Sequence, residues 1–261
     1  MTATFFDVLR GEWLKQRRSL AMWMVVAGAL FTPAIILALR LLRYRELPAL
    51  HASADYWTRL WHSAWESSAV FFLPMGAVLA TSLIVQIEFR NNAWKQVHAL
   101  PVSKATIYFC KLAIILSMLL LFVALFSVAT WLTAAIPAVI VPGLQMPIAP
   151  IPWRDFVLDD FGYIAGCLPI AALQYAIALR YRNAMVPIGA GFLLWVGTLG
   201  MLSTRWASLS PYSVTMLQYI GEGSERKIPA PAFDIHATAL VYFAIFVIAG
   251  YVLFATARQK G

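Results

Sequence analysis

Charge is scarce in this chain. Only 12% of its 261 residues are Asp, Glu, Lys or Arg, against 61% hydrophobic residues and a mean hydropathy of +0.74. An average soluble domain carries about 25% charge and about 45–50% apolar residues. Packing in water could not hide this much apolar surface, so lipid must be the solvent for most of it. No glycine is followed by lysine, which removes the GxxxxGK loop that cradles phosphates and with it an ATPase site of the chain's own. HExxH is missing too, and His51, His62, His98 and His236 are scattered, so no zinc-hydrolase pattern exists. GxSxG is absent, and nothing groups a serine nucleophile with a base. The two cysteines, Cys110 and Cys167, lie in or beside apolar runs. They form no metal-ligand spacing or disulfide framework and read as small buried hydrophobes. The middles of the apolar runs lack Asp, Glu, Lys, Arg and His, the groups that proton pumps and secondary transporters place there. Any energy source has to act from outside the membrane.

Long apolar runs are what the chain does have. A run of roughly 20 residues can cross a bilayer core of about 30 Å as a helix. Six occur, at 20–42, 67–87, 107–136, 156–179, 184–203 and 237–257. They predict an all-α polytopic membrane protein with six transmembrane helices forming one transmembrane domain over residues 1–261. The third run is long enough to tilt or to overrun the membrane surface.

The net charge of +8 matters through its placement rather than as a sign of nucleic-acid binding. The N-terminus, the 88–111 stretch, 180–183 and the C-terminus fall on one side of the membrane. That side collects Arg10, Lys15, Arg17, Arg18, Arg90, Lys95, Lys104, Lys111, Arg180, Arg182, Arg258 and Lys260 against Asp7, Glu12 and Glu88. The other side is near balance, although Arg40, Arg43 and Arg45 are a contrary signal there. The positive-inside rule places both termini in the cytoplasm.

Before the first run, residues 4–18 carry Phe5, Leu9 and Trp13 every four residues with Phe6 beside them. This spacing predicts a short amphipathic helix in the headgroup layer, anchored by basic residues such as Arg10, Lys15 and Arg17. On the outer side, prolines at 137, 142, 147, 150 and 152 predict a stiff, non-helical cap over 137–153. Within 205–236, SLSPYSVTMLQYIGEG can form a short helix at the membrane surface, stopped by Gly221 and Gly223, with an irregular loop as the alternative. Asp159 and Asp160, near the outer end of the fourth run, read as solvated interface residues, with one of them facing a cavity as the alternative. Gly162 and Gly166 form GxxxG, and Gly189, Gly191, Gly197 and Gly200 crowd the fifth run, a pattern of close helix packing within one subunit or between two.

The loop between the second and third runs is the most distinctive stretch. In EFRNNAWKQVHALPVSK, residues 91–100 can form two to three helical turns with Trp94, Val97 and His98 on one side and Lys95 on another. Pro101 stops that helix, and Ser103 is placed to cap the third run. A sharply bounded helix with an exposed tryptophan suits insertion into another protein's groove.

EFRNNAWKQVHALPVSKATIYFCK resembles the cytoplasmic loop of type 2 ATP-binding-cassette (ABC) exporter permeases. There an acidic residue ends the second span, a short coupling helix follows, and an LPVS(K/R) turn leads into the third span. LRGEWLKQRRSLAMW is similar to the opening of the lantibiotic-immunity and multidrug-type branch, and SPYSVTMLQ resembles a phrase common in it. The outer segment 44–66, with Trp57, Trp61 and Trp65, has no counterpart in this resemblance. The resemblance implies a permease subunit of the bacterial cytoplasmic membrane, with no activity alone, that moves a hydrophobic or amphipathic substrate. It would pair with a second permease, identical or homologous, and with two cytoplasmic ATPases that hold ATP and magnesium. By the same resemblance Asn91, Asn92, Trp94, Lys95, Val97, His98 and Leu100 belong to the ATPase-docking coupling helix. Glu88, Pro101 and Ser103 mark the ends of the loop, and Phe5, Phe6, Leu9 and Trp13 belong to the elbow helix.

Overall fold

The computed structural model describes residues 4–90, 102–223 and 229–256. Residues 91–101 lie outside it, so the coupling-helix residues Asn91, Asn92, Trp94, Lys95, Val97, His98 and Leu100, and Pro101 after them, have no structural description. Among the described residues every regular element is helical. α1 is Phe5–Gln16 and α2 is Leu20–Leu42, followed by the short α3, Leu47–His51. Next, α4 (Tyr56–Ser67) runs through a π-helical turn, Ser68–Phe72, into α5, Leu73–Arg90. α6 is Lys104–Ile140, α7 is Trp153–Arg180 and α8 is Met185–Met201. A 3₁₀ turn at Arg205–Leu209 leads to α9, Val214–Gly221, and α10 is Ile235–Thr256.

Among the described residues five helical stretches are long and apolar enough to cross a membrane: α2, α4 with α5, α6, α7 and α10. α8, with 17 residues, reaches the short end of the crossing range of about 17–25. The helices alternate in direction, and contacts sort their ends into two sets. At the basic end Gln86 donates to the Arg182 carbonyl at 2.8 Å, and Lys104 donates to the Ala255 carbonyl at 2.8 Å. At the opposite, capped end His51 Nδ1 lies 2.7 Å from the Gln145 carbonyl oxygen, and Trp57 Nε1 donates to the Ala149 carbonyl at 2.9 Å. α5, α6 and α7 carry most of the buried side chains, while α2, α8 and α10 turn much of their apolar surface outwards.

Three expectations need correcting here. The helical stretch that carries the second apolar run begins not near residue 67 but at Tyr56, because α4 continues through the π-helical turn into α5. The polar Arg59, His62 and Glu66 dilute the hydropathy of α4, yet Trp57, Trp61 and Trp65 are buried, so the helix is sided rather than exposed. The non-helical cap starts late as well: α6 continues through Pro137 to Ile140. Gly143, at φ +79°, then takes a left-handed turn that suits glycine, and the irregular strap covers the helix ends. Lastly, α9 does not lie on the membrane surface. Tyr212 reaches Gln174 with its hydroxyl at 3.4 Å, and Val214 through Gln218 are buried. The 205–222 segment therefore dips into the bundle and climbs back along α7.

Glycine and proline explain how the bundle closes. A Cβ on Gly162 would stand 2.6 Å from Gln218 Nε2, and one on Gly166 would stand 3.0 Å from Val214 Cγ1, so the GxxxG face of α7 receives α9. On α8 only Gly191 is in such contact, with Val78 Cγ1 at 2.6 Å, whereas Gly189, Gly197 and Gly200 face open space. Each in-helix proline frees the carbonyl four residues earlier, which lipid cannot hydrogen-bond. Pro74 frees that of Val70, and Trp195 Nε1 donates to it at 2.8 Å. Pro137 frees that of Thr133, and Arg40 Nη1 donates to it at 3.2 Å. Side chains from α8 and α2 thus repair the breaks, which ties neighbouring helices together.

Gly166→Leu should therefore dislodge α9 from α7, because Thr215 backbone also lies within 3.4 Å of the added carbon. Overpacking of this kind costs about 1–3 kcal/mol. Thiol labelling at Thr215→Cys, buried in the native chain, should rise in the Gly166→Leu background. Unchanged protection would show that α9 can shift without leaving.

Candidate functional site

α1 starts where Thr4 accepts from the Asp7 N–H at 3.3 Å while the Asp7 carboxylate accepts from the Thr4 N–H at 3.0 Å. This reciprocal cap satisfies two of the otherwise unpaired N–H groups. One turn spacing then places Glu12 and Gln16 on the same face, and that face is buried. Phe5, Phe6 and Trp13 point away from the bundle, while Leu9 is partly buried against it. α1 thus lies with a polar face on the protein and an apolar face outwards. Lys15 is not one of its headgroup anchors, because its ammonium turns inwards.

There it completes a ring of four charges. Lys15 Nζ lies 2.5 Å from Glu12 Oε1 and 2.9 Å from Glu88 Oε1. Lys111 Nζ lies 2.7 Å from Glu12 Oε2 and 3.2 Å from Glu88 Oε1. Glu88 stands two residues before the end of α5 and Lys111 seven after the start of α6. Both are 1% exposed. Ser103 fixes the start of α6 by accepting from the Thr106 N–H at 3.0 Å. Three separate chain segments therefore meet in the ring: α1, the end of α5 and the start of α6.

Charge placement counts Lys111 only among the basic residues of one side, and the structure buries it. Charge placement also passes over Glu12 as a structural group. The available signal was the Glu12–Lys15 spacing together with a lysine placed two turns inside an apolar helix. Beside the ring, the Gln16 amide and Glu88 Oε2 are buried without a hydrogen-bond partner among the described residues.

Burial works against the charge of Glu12, but the ammoniums of Lys111 and Lys15 outweigh it and hold the carboxyl below its usual value. Burial likewise opposes the Lys15 charge, and Glu12 and Glu88 outweigh it, which raises the ammonium. The lowered Glu12 contributes stability that is present above its ordinary 4.5 and is lost as pH falls through its folded value. The raised Lys15 contributes stability that is complete below its ordinary 10.5 and is lost as pH rises through its folded value. α1 should therefore stay docked across the whole neutral range. A spin label at Gly11, which faces open space, should become mobile only beyond those two limits. Release near neutrality would mean that the ring does not hold α1.

At the mid-depth of the bundle Gln174 is a second polar junction that sequence reasoning missed. Its amide donates to Ser82 Oγ at 3.0 Å and to the Pro187 carbonyl at 2.5 Å, which joins α5, α7 and α8. Uncharged, it gave no signal in a search for ionisable groups. Nearer the capped end Tyr163 donates to Glu222 Oε2 at 3.0 Å, and Gln218 donates to Glu222 Oε1 at 2.7 Å. Asp160 is not a solvated interface residue, because its carboxylate accepts from Ser127 Oγ at 2.8 Å and faces a cavity. Cys110 and Cys167 are buried and unpaired. No group of three His, Cys, Asp or Glu residues suited to a metal occurs among the described residues.

The arrangement has a mechanical character. Among the described residues its strongest electrostatic feature joins α1 to the end of α5 and the start of α6. No curated protein matches the chain. A family model described as ABC-2 family transporter protein matches residues 8–198, well over half the sequence. The matched stretch runs from inside α1 almost to the end of α8 and includes both acids and both lysines of the ring. The chain therefore belongs to the ABC-2 transporter family, as a multi-pass membrane permease of the kind that works with an ATPase subunit.

Proposed function

We propose that this permease subunit serves an ATP-driven exporter in a bacterial cytoplasmic membrane, with both termini and the 91–101 loop in the cytoplasm. Two permease chains, identical or homologous, pair with two ATPases, which hold the ATP and magnesium that this chain does not bind. The cargo is hydrophobic or amphipathic, a peptide antibiotic, drug or lipid-like molecule, taken from the cytoplasm or the inner leaflet. The likeness to the lantibiotic-immunity branch makes peptide antibiotics the first cargo to try, and antibiotic resistance the phenotype.

The observation that carries this reading is the buried ring. A loop whose two stems are joined to each other and to α1 moves as one body, so a push on the loop reaches α5, α6 and the elbow helix together. The charge asymmetry supports the orientation, and the contrary Arg40 is accounted for by its bonds to Tyr56 and the Thr133 carbonyl.

The test is co-purification of the ATPase with the native chain, Trp94→Ala and Lys95→Ala at equal expression. If residues 91–100 are the coupling helix, Trp94→Ala removes an anchor worth about 2 kcal/mol or more, at least a tenfold loss of affinity. Lys95→Ala should change salt sensitivity more than affinity. Full retention of the ATPase by Trp94→Ala would mean that the docking element lies elsewhere. A native chain that retains no ATPase would favour a membrane scaffold or receptor-like protein instead.

A further inference from the structure

Tryptophan in a membrane protein ordinarily collects at the lipid–water boundary. Trp57, Trp61 and Trp65 on α4 instead point into the bundle, 4%, 8% and 1% exposed. Their spacing of four puts them on one helical face. Trp65 is taken up by the core, stacked on Tyr163 at 3.8 Å. Trp57 and Trp61 have another role. They wall a cavity of about 640 Å³ enclosed by α4, α6, α7 and the proline-rich strap, a size typical of small-molecule sites (~300–1,000 Å³). Phe156 lies flat on Trp61, ring centres 4.1 Å apart, and holds its orientation. Trp131 stands at the rim, partly exposed on the flank of α6, so the cavity can be reached sideways from the bilayer.

Among the described residues that line the cavity, the one charged side chain is acidic, Asp160. Asp160 gives one carboxylate oxygen to Ser127 at 2.8 Å. Its other oxygen and the Thr130 hydroxyl are buried with no partner among the described residues. Among the described residues no lysine, arginine or histidine lines the cavity, so none of their cations faces the carboxylate. Aromatic rings present negative faces, which attract cations. A cavity with a carboxylate, an indole cage and no counter-charge is complementary to a positive ligand with an apolar body.

We propose that this cavity binds a hydrophobic organic cation, an amine or quaternary ammonium, with Asp160 as its counter-charge and Trp57, Trp61 and Trp131 as its cage. That such a cation is cargo rests on the export reading; the binding does not.

The test uses the full chain in nanodiscs of zwitterionic lipid. Equilibrium dialysis compares labelled benzyltrimethylammonium with neopentylbenzene, its neutral carbon isostere. The native chain should bind the cation at least ten times more tightly than the isostere. Asp160→Asn keeps the side-chain volume and the Ser127 bond. It should weaken cation binding tenfold or more and leave the isostere within a factor of two. Trp131→Leu, at the partly exposed rim, should weaken cation binding at least threefold with a smaller effect on the isostere, and it decides the matter if Asp160→Asn does not fold. Equal binding of cation and isostere by the native chain would overturn the proposal, as would a folded Asp160→Asn chain that binds the cation unchanged. ATP-driven uptake of the cation into inverted vesicles containing the ATPase then separates site from use. Binding without uptake would leave the site standing and refute the cation as cargo.

Discussion

Lys111→Met should destabilise the chain by about 3–5 kcal/mol, the cost of breaking a buried ion pair on one side. Methionine matches the length of the lysine stem and suits an apolar helix, so packing changes little. What changes is charge. Lys111 is 1% exposed and lies 2.7 Å from Glu12 and 3.2 Å from Glu88. Without it two carboxylates face the single ammonium of Lys15, whose side chain is 38% exposed. Water can screen Lys15 but cannot reach Glu88. Lys111→Met combined with Glu12→Gln removes one charge of each sign and should recover part of the loss, since an ion pair replaced as a unit is often nearly neutral. Denaturant titration in mixed micelles, run as a double-mutant cycle, gives the coupling. A single-mutant loss below about 1 kcal/mol would place the ring among solvated surface pairs and remove the mechanical link on which the export reading leans.

The ring shows what a sequence can and cannot disclose. Apolar runs identify the membrane-spanning helices because twenty hydrophobic residues have no other stable place. Charge counting, by contrast, assigns a side and says nothing about burial, so it does not tell Lys111 from lysines that face water. The same limit hid α4. A window average is lowered by Arg59, His62 and Glu66, although the four-residue spacing of Trp57, Trp61 and Trp65 already described a helix with one apolar face. The re-entry of the 205–222 segment was beyond local reading, because it depends on the GxxxG face of α7 being free to accept it. That face and the incoming helix lie about fifty residues apart in the chain. From sequence Pro137 reads as a stop, which is its usual effect in water. It is tolerated here because the carbonyl it frees has a donor from another helix.

That donor leads to the second large expected effect. Arg40→Met should cost about 2–3 kcal/mol, in the range of a hydrogen bond to a charged group together with an acceptor left unpaired. Arg40 donates to the Tyr56 hydroxyl and, at 3.2 Å, to the Thr133 carbonyl, and its guanidinium lies 5.0 Å from the centre of the Tyr56 ring. One planar group therefore joins α2, α4 and α6 where Pro137 has broken the ladder of α6. Lysine keeps the charge but lacks the fork and the flat face, so Arg40→Lys should recover less than half of the loss. The local consequence follows from Tyr56, which neighbours His51 with ring centres 5.0 Å apart. His51 in turn holds the strap through the Gln145 carbonyl, and the Ile148 N–H donates back to the His51 carbonyl at 3.1 Å. Loosening Arg40 should thus free the strap before the spans separate, and limited proteolysis near Gln145 should accelerate at temperatures where the helices remain intact. Pro137→Ala supplies the decisive partner. It restores the N–H that the Thr133 carbonyl lacks, so Arg40→Met should cost distinctly less in that background. An equal cost in both backgrounds would show that Arg40 acts through Tyr56 alone and that the carbonyl freed by Pro137 does not need it.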